Sequence, residues 1–479
     1  MKNKLLLALA LLCAYFVGCG DYDESFDNPL NGSTEKETAI DSARYTVIVY
    51  STIEGAADSI VEDFFKKSQE FLDEKKVRVL VCHKYGIDDY DKDLGIHFTG
   101  KFAKPGDIVT FELTKDLDLK TIKKTARKAG KSVLMSDSGL LTDVLNYAAD
   151  SLPAKDYVLM FYGHGGGYDP DLDYPRELRT KSSSSKLRGQ VSAAILYDEA
   201  STDPETYFTD ALGMFDIKRE IENSSIKHLK GIFFHDCLMG NVEFLSEVYT
   251  LADYIIASEH ELYADEMLMV DFVKQLHDGR ENFEQTAKHF LRNTRSHWKL
   301  EYKDEGVNGD LMLLKASEME SLFPIFKKMS KRLQSFYKKS AKREQIDHAS
   351  MAAYLIDLYR YHFDILDFTN LVAEYTKDSV FADYAKELDE ALDKLIIEKI
   401  ETHNIDISGL STFSLSYWAA YHDLYNDKSA WDYTNKEAYE YTTFHKETGW
   451  GDWLDVCAYV DYELLDGMAD DEGDAEEDE

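Results

Sequence analysis

Short runs of apolar, β-branched or aromatic residues recur through the first half of the chain, with helical spacing between most of them. Residues 45–50, 77–81, 157–161, 193–197, 231–234 and 254–257 each read as a strand. A strand that is apolar on both sides needs cover on both faces, and sheets built this way are mostly parallel. The intervening stretches supply that cover. Over residues 58–76, Ile60, Val61, Phe64, Phe65, Phe71 and Leu72 share one helical face, and residues 139–150 and 208–222 also have helical patterning. The pattern predicts an α/β fold, a three-layer α/β/α sandwich with a mostly parallel central sheet. From residue 266 the spacing turns helical and charged, notably over 311–339 and 378–399, so a mainly helical C-terminal part is expected.

The first residues set the compartment. Lys2 and Lys4 precede an apolar stretch over 5–17 that is too short and too early for a stable membrane span. It ends in Phe16-Val17-Gly18-Cys19, which resembles a bacterial lipobox, with Cys19 as the lipidated residue of the mature chain. The acidic Asp21, Asp23 and Glu24 that follow resemble signals for export to the cell surface. The expected layout is therefore a signal peptide over 1–18, a polar tether over 19–42, the sandwich over 43–265, the helical part over 266–465 and a disordered acidic tail over 466–479. The expected location is the bacterial cell envelope, lipid-anchored at the outer membrane or cell surface.

Beyond the leader only Cys82, Cys237 and Cys457 remain. An odd number in an exported chain argues against a disulfide framework and leaves a free thiol to explain. No Cys-x-x-Cys pair exists, which makes a thiolate zinc site improbable. The formal net charge of −36 repels nucleic acid, so none is expected as a partner.

Two segments sit where α/β sheets place chemistry, at the carboxyl ends of strands. The first is Tyr162-Gly163-His164-Gly165-Gly166-Gly167, whose glycines let the backbone approach a ligand closely. The second is His235-Asp236-Cys237-Leu238-Met239-Gly240, with a helix expected from about Asn241. A cysteine between a strand end and a helix N-terminus is favoured as thiolate and becomes a nucleophile near neutral pH. Alone, the histidine suits a turn and the cysteine a buried thiol. Together, with histidine before cysteine, they match the order used by caspase-type peptidases.

The segment over 152–168 around His164 resembles the histidine block of the clostripain-like peptidases, and Phe234-His235-Asp236-Cys237-Leu238-Met239-Gly240 resembles their cysteine block. Residues 252–259, 363–368, 408–411 and 449–454 are similar to later family segments, so the likeness runs from about Tyr45 to about Tyr459. It implies a caspase-like peptidase domain over 43–265 and hydrolysis of protein or peptide substrates through a thioacyl-enzyme. Cys237 would be the nucleophile, His164 its acid–base partner, and the backbone N–H groups of Gly165 and Cys237 the oxyanion donors. No cofactor is required. A monomer is expected.

The likeness also marks one departure. Family members typically carry an aspartate two residues before the nucleophile, under a pocket for Arg or Lys at P1. Here that position is His235, and Asp236 is displaced to the opposite face of the strand. Glu259 or a nearby acid would have to compensate, with basic P1 specificity retained as the first expectation. An inactive binding protein on the same fold is the alternative. The basic, Ser-rich stretch 176–188 is an expected self-cleavage loop, cut after Arg179, Lys181, Lys186 or Arg188, with a plain surface loop as the other reading. Asp169, Asp171 and Asp173 have a calcium-like spacing but lack the glycine and distal glutamate of an EF-hand. An esterase is excluded, since no Gly-x-Ser-x-Gly elbow occurs.

Overall fold

The computed structural model describes residues 42–53, 57–86, 99–126, 134–168, 195–199, 209–262, 265–279, 282–301, 309–357, 361–402, 407–415 and 436–457. Cys19, the tether, Asp169, Asp171, Asp173, Arg179, Lys181, Lys186, Arg188 and the acidic tail lie outside these residues.

Five strands form the parallel centre of an eight-stranded sheet: β1 (Ala43–Thr52), β2 (Val77–Lys84), β4 (Ala154–Tyr162), β7 (Leu229–His235) and β8 (Ala252–Ala257). They lie in the order β8-β7-β4-β1-β2. Antiparallel strands close both sides, with β3 (Ile108–Glu112) beside β2 and β9 (Asp310–Lys315) followed by β12 (Ile396–Glu401) beyond β8.

Alternation along the central strands builds two cores. Val47, Val49, Val79, Val81, Val158, Met160 and Phe233 face one layer, made by helices α1 (Asp58–Gln69), α5 (Glu266–Asp278) and α6 (Phe283–Glu301). Ile48, Tyr50, Leu80, Leu159, Phe161, Ile232 and Phe234 face the other. That layer comprises α2 (Leu140–Ser151), α3 (Met214–Asn223), α4 (Val242–Val248), α7 (Phe323–Tyr337), α8 (Ser340–Ala352), α9 (Ile365–Thr376), α10 (Ser379–Leu395), α11 (Lys436–Tyr441), α12 (Thr443–Thr448) and α13 (Trp450–Cys457). The expected three-layer sandwich is present, and the chain after residue 266 is mainly helical.

β9 and β12, both from the part expected over 266–465, extend the central sheet. The strand expected over 193–197 appears as β5 (Ile195–Glu199), which pairs with β6 (Thr209–Leu212) in a separate antiparallel hairpin. A small three-stranded sheet of β10 (Leu355–Asp357), β11 (His362–Asp364) and β13 (Ser411–Phe413) is joined through the Asn241–Ser411 bridge to the turn that follows β7.

Candidate active site

Tyr162, the last residue of β4, pairs in register with His235, the last residue of β7. His164 and Cys237 each follow two residues later, so equal offsets from paired strand ends bring both to one rim of the sheet. Both are half-buried. The contact between the two segments is close. A Cβ built on Gly165 would meet the Cys237 carbonyl oxygen at 2.3 Å, the Asp236 Cβ at 2.8 Å and the Cys237 nitrogen at 3.0 Å. Only glycine lets the histidine loop rest on the Cys237 backbone.

The turn after β7 is fixed from several sides. Leu238 has φ 63°, a left-handed conformation that costs a non-glycine residue about 1–3 kcal/mol. Its N–H donates to the His260 carbonyl at 3.0 Å, and that of Gly240 to the Ser258 carbonyl at 2.7 Å. The Leu262 N–H donates to Cys237 Sγ at 3.2 Å. Apolar Leu238, Ile356 and Ile407 pack behind the thiol. The helix expected from about Asn241 starts at Val242, with the Asn241 side chain accepting from Phe244 N–H, and spans only Val242–Val248. The local support of Cys237 is therefore the 258–262 turn as much as the helix.

That turn hangs on a residue the sequence did not single out. Asp310, at the start of β9, is fully buried and accepts from Ser258 Oγ at 2.9 Å, Glu259 N–H at 3.1 Å and His260 N–H at 2.7 Å. Burial raises its carboxyl above the usual range, and these donors pull it back. On the histidine side, His362 Nε2 meets the Tyr168 carbonyl at 2.9 Å, at the end of the glycine loop. Gly167, with φ +66°, closes that loop where a Cβ would strike His362 and Leu238.

The three expected pocket residues are all closed to solvent, at 2% exposure or less. His235 stacks on Phe233 with ring centroids 5.6 Å apart, and tilts over Tyr162 at 4.9 Å. Asp236 is wholly enclosed on the Gly165 side, and neither carboxyl oxygen has a hydrogen-bond partner. Burial drives its carboxyl well above the usual range. Glu259 Oε2 accepts from Gly409 N–H at 2.7 Å and so holds the 408–409 segment. Burial, then Asp364 and Asp310 nearby, raise its carboxyl. Among the described residues, no group of three or more His, Cys, Asp or Glu is arranged to hold a metal ion.

The sequence matches the model of the clostripain family, Peptidase_C11, over residues 108–456. The chain belongs to the clostripain family. Membership makes it a cysteine-type peptidase acting on protein or peptide substrates. Solved structures with a similar fold include "iotapain", a secreted C11 cysteine protease from Bacteroides thetaiotaomicron, at 16% identity and TM-score 0.53 over 85% of this chain and 99% of that one. A secreted C11 cysteine protease from the same organism, in complex with an irreversible peptide inhibitor, matches at 14% identity and TM-score 0.52, over 85% and 99%. An inactive zymogen C11 protease from Parabacteroides distasonis matches at 15% identity and TM-score 0.52, over 85% and 98%. At these identities the likeness is one of fold. No curated protein matches this clostripain-family chain in sequence.

Proposed function

We propose that the chain cleaves peptide bonds with Cys237 as nucleophile and His164 as acid and base. The Cys237 sulfur attacks the scissile carbonyl carbon, and His164 passes a proton to the departing amine, leaving a thioester. Water then attacks the thioester, His164 takes its proton, and the new carboxylate leaves with the thiol restored. The N–H groups of Gly165 and Cys237 hold the oxyanion, at roughly 3–4 kcal/mol per donor. The observation that carries this reading is the seating of Gly165 on the Cys237 backbone, two residues beyond the paired Tyr162 and His235.

An electrophilic peptide ketone tests it. Selective labelling of Cys237, lost in Cys237→Ala and slowed by His164→Ala, is the expected outcome. An unreactive Cys237 in the folded protein supports the second reading, a binding protein on a peptidase fold, which His235 in place of an aspartate favours. Basic P1 residues remain the first specificity proposed, although His235 supplies no negative charge. A peptide library varied at P1 checks that choice.

Self-processing after Arg179, Lys181, Lys186 or Arg188 is proposed from the basic, Ser-rich composition of that stretch. Fragments from wild type but not from Cys237→Ala are the expected result. Anchoring through acylated Cys19 at the bacterial outer membrane or cell surface is proposed from the leader sequence. Metabolic labelling with a fatty acid, compared with Cys19→Ala, checks it.

A further inference from the structure

His362 is fully buried, and its Nε2 lies 2.9 Å from the Tyr168 carbonyl oxygen, 194 residues away in sequence. A carbonyl can only accept, so Nε2 carries the hydrogen and donates it. The ring also lies on Gly167, where a built Cβ would come within 2.8 Å of Cε1. Tyr168 follows directly on the glycine loop that carries His164. A leucine would fill similar space without burying two ring nitrogens, so a histidine here suits a grip on that loop. The backbone is strained where it presents the ring. Tyr361, just before it, has φ 60° and is 2% exposed, a left-handed conformation that residues with side chains rarely adopt. The Ser414 N–H donates to the Tyr361 carbonyl at 2.6 Å and holds it there. Strain of this kind gathers at functional sites.

The sheet that carries His362 is also bonded to the cysteine turn. β11 pairs with β13, with His362 opposite Phe413 and Asp364 opposite Ser411. The Ser411 N–H donates to the carbonyl of Gly240, just beyond Cys237, at 2.9 Å. The Phe413 ring packs edge-on against the Tyr168 ring with centroids 5.5 Å apart, and the Tyr439 ring does so at 5.2 Å. The hydroxyls of Thr412 and Tyr439 both donate to Glu243 Oε1, at 2.7 Å and 2.8 Å. Glu243 stands in the first turn of α4, the helix that follows the cysteine turn. One small sheet thus grips the end of the histidine loop with one strand and the cysteine turn with the next.

We propose that His362 is a positioning residue: through the Tyr168 carbonyl it holds the loop carrying His164 at its working distance from Cys237. Its effect on turnover passes through His164. The inference rests on the reading of His164 and Cys237 as the catalytic pair. A core histidine that only filled space would lower stability on replacement and leave the turnover of each folded molecule alone.

The test compares the full chain as wild type, His362→Leu and His362→Gln, each alone and combined with His164→Ala. The glutamine amide can still donate to the carbonyl, as Nε2 does. Peptide hydrolysis gives kcat and KM, and hydrogen–deuterium exchange reads the loop over 163–168 with β7 as internal control. His362→Leu is expected to lower kcat at least about tenfold with KM within about twofold. It is also expected to speed exchange of the loop at least about tenfold, with β7 unchanged. His362→Gln is expected to recover most of both. In the His164→Ala background His362→Leu is expected to change the residual rate less than about twofold, because its route is already cut. An equal loss in both backgrounds, a folded His362→Leu with wild-type kcat, or loop exchange left unchanged by it each overturns the proposal. Should His362→Leu fail to fold, His362→Asn takes its place. Its shorter amide matches the other ring nitrogen, so it is expected to lose the kcat that His362→Gln keeps, and equal kcat for the two amides overturns the proposal. A wild type that hydrolyses no peptide, or a His164→Ala that matches it, defeats the reading of the pair instead, and loop exchange still decides the grip.

Discussion

The backbone N–H of Leu262 donates to the sulfur of Cys237 across 3.2 Å, from a turn that Asp310 holds by three hydrogen bonds. The Leu262 carbonyl in turn lies 3.8 Å from the same sulfur, so the 258–262 turn fixes where the Cys237 sulfur sits and bears directly on its reactivity.

Asp310→Ala is therefore expected to act on both stability and chemistry. It leaves three buried donors unmatched, at about 1–3 kcal/mol each before relaxation. Urea unfolding is expected to show a loss of about 3 kcal/mol or more, and ketone labelling of Cys237 to slow about tenfold. Unchanged labelling in a destabilised variant would confine Asp310 to a structural part.

Two glycine substitutions separate site from scaffold. Gly165→Ala places a methyl 2.3 Å from the Cys237 carbonyl oxygen, so peptidase turnover is expected to fall at least about 100-fold. Gly139→Ala meets nothing within 4 Å but must hold φ +90°. It is expected to cost about 1–2 kcal/mol of stability with turnover unchanged. Peptide hydrolysis and thermal melting measured on both variants check the pair.

Asp347 carries a pH signature. Burial raises its carboxyl to about 6 from the ordinary 3.8, with the Tyr337 hydroxyl donating to it and opposing the shift. The folded state thus binds this proton more tightly than the unfolded chain. Stability from this group is greatest below pH about 4, falls as pH rises toward 6, and stays lower above it. Asp347→Asn lacks that decline. It is expected to be more stable than wild type by about 3 kcal/mol at pH 7 and no different at pH 3.5, read from paired urea titrations.

Thiol counting gives a direct check. Cys82 and Cys457 are buried, and burial pushes the Cys457 thiol well up, whereas Cys237 is half-buried. A native thiol titration should show one fast group among these three cysteines, and Cys237→Ala should lose it.

The central strands were legible because both of their faces are apolar, and alternation there divides cleanly into two cores. The His164 and Cys237 segments were legible because strand ends with glycine or a helix start are local features. The edges were not. Residues 311–314 are a continuous apolar run leading into true helix, so β9 read as helical, and β12 was absorbed into the pattern ending at 399. The 193–197 run does form a strand, but its partner is β6, a pairing that no local pattern reveals. Asp310 and His362 were illegible for a related reason. Each is a single polar residue whose partners, Ser258 to His260 and Tyr168, lie 50 or more positions away.

β9 and β12 complete the sheet from late in the chain, and Asp310 reaches back from β9 to the turn behind Cys237. A nascent polypeptide that has emerged only as far as α5 already contains Cys237, yet lacks the strand whose Asp310 holds the turn behind it, so the hydrogen-bonded form of that turn has to wait for β9.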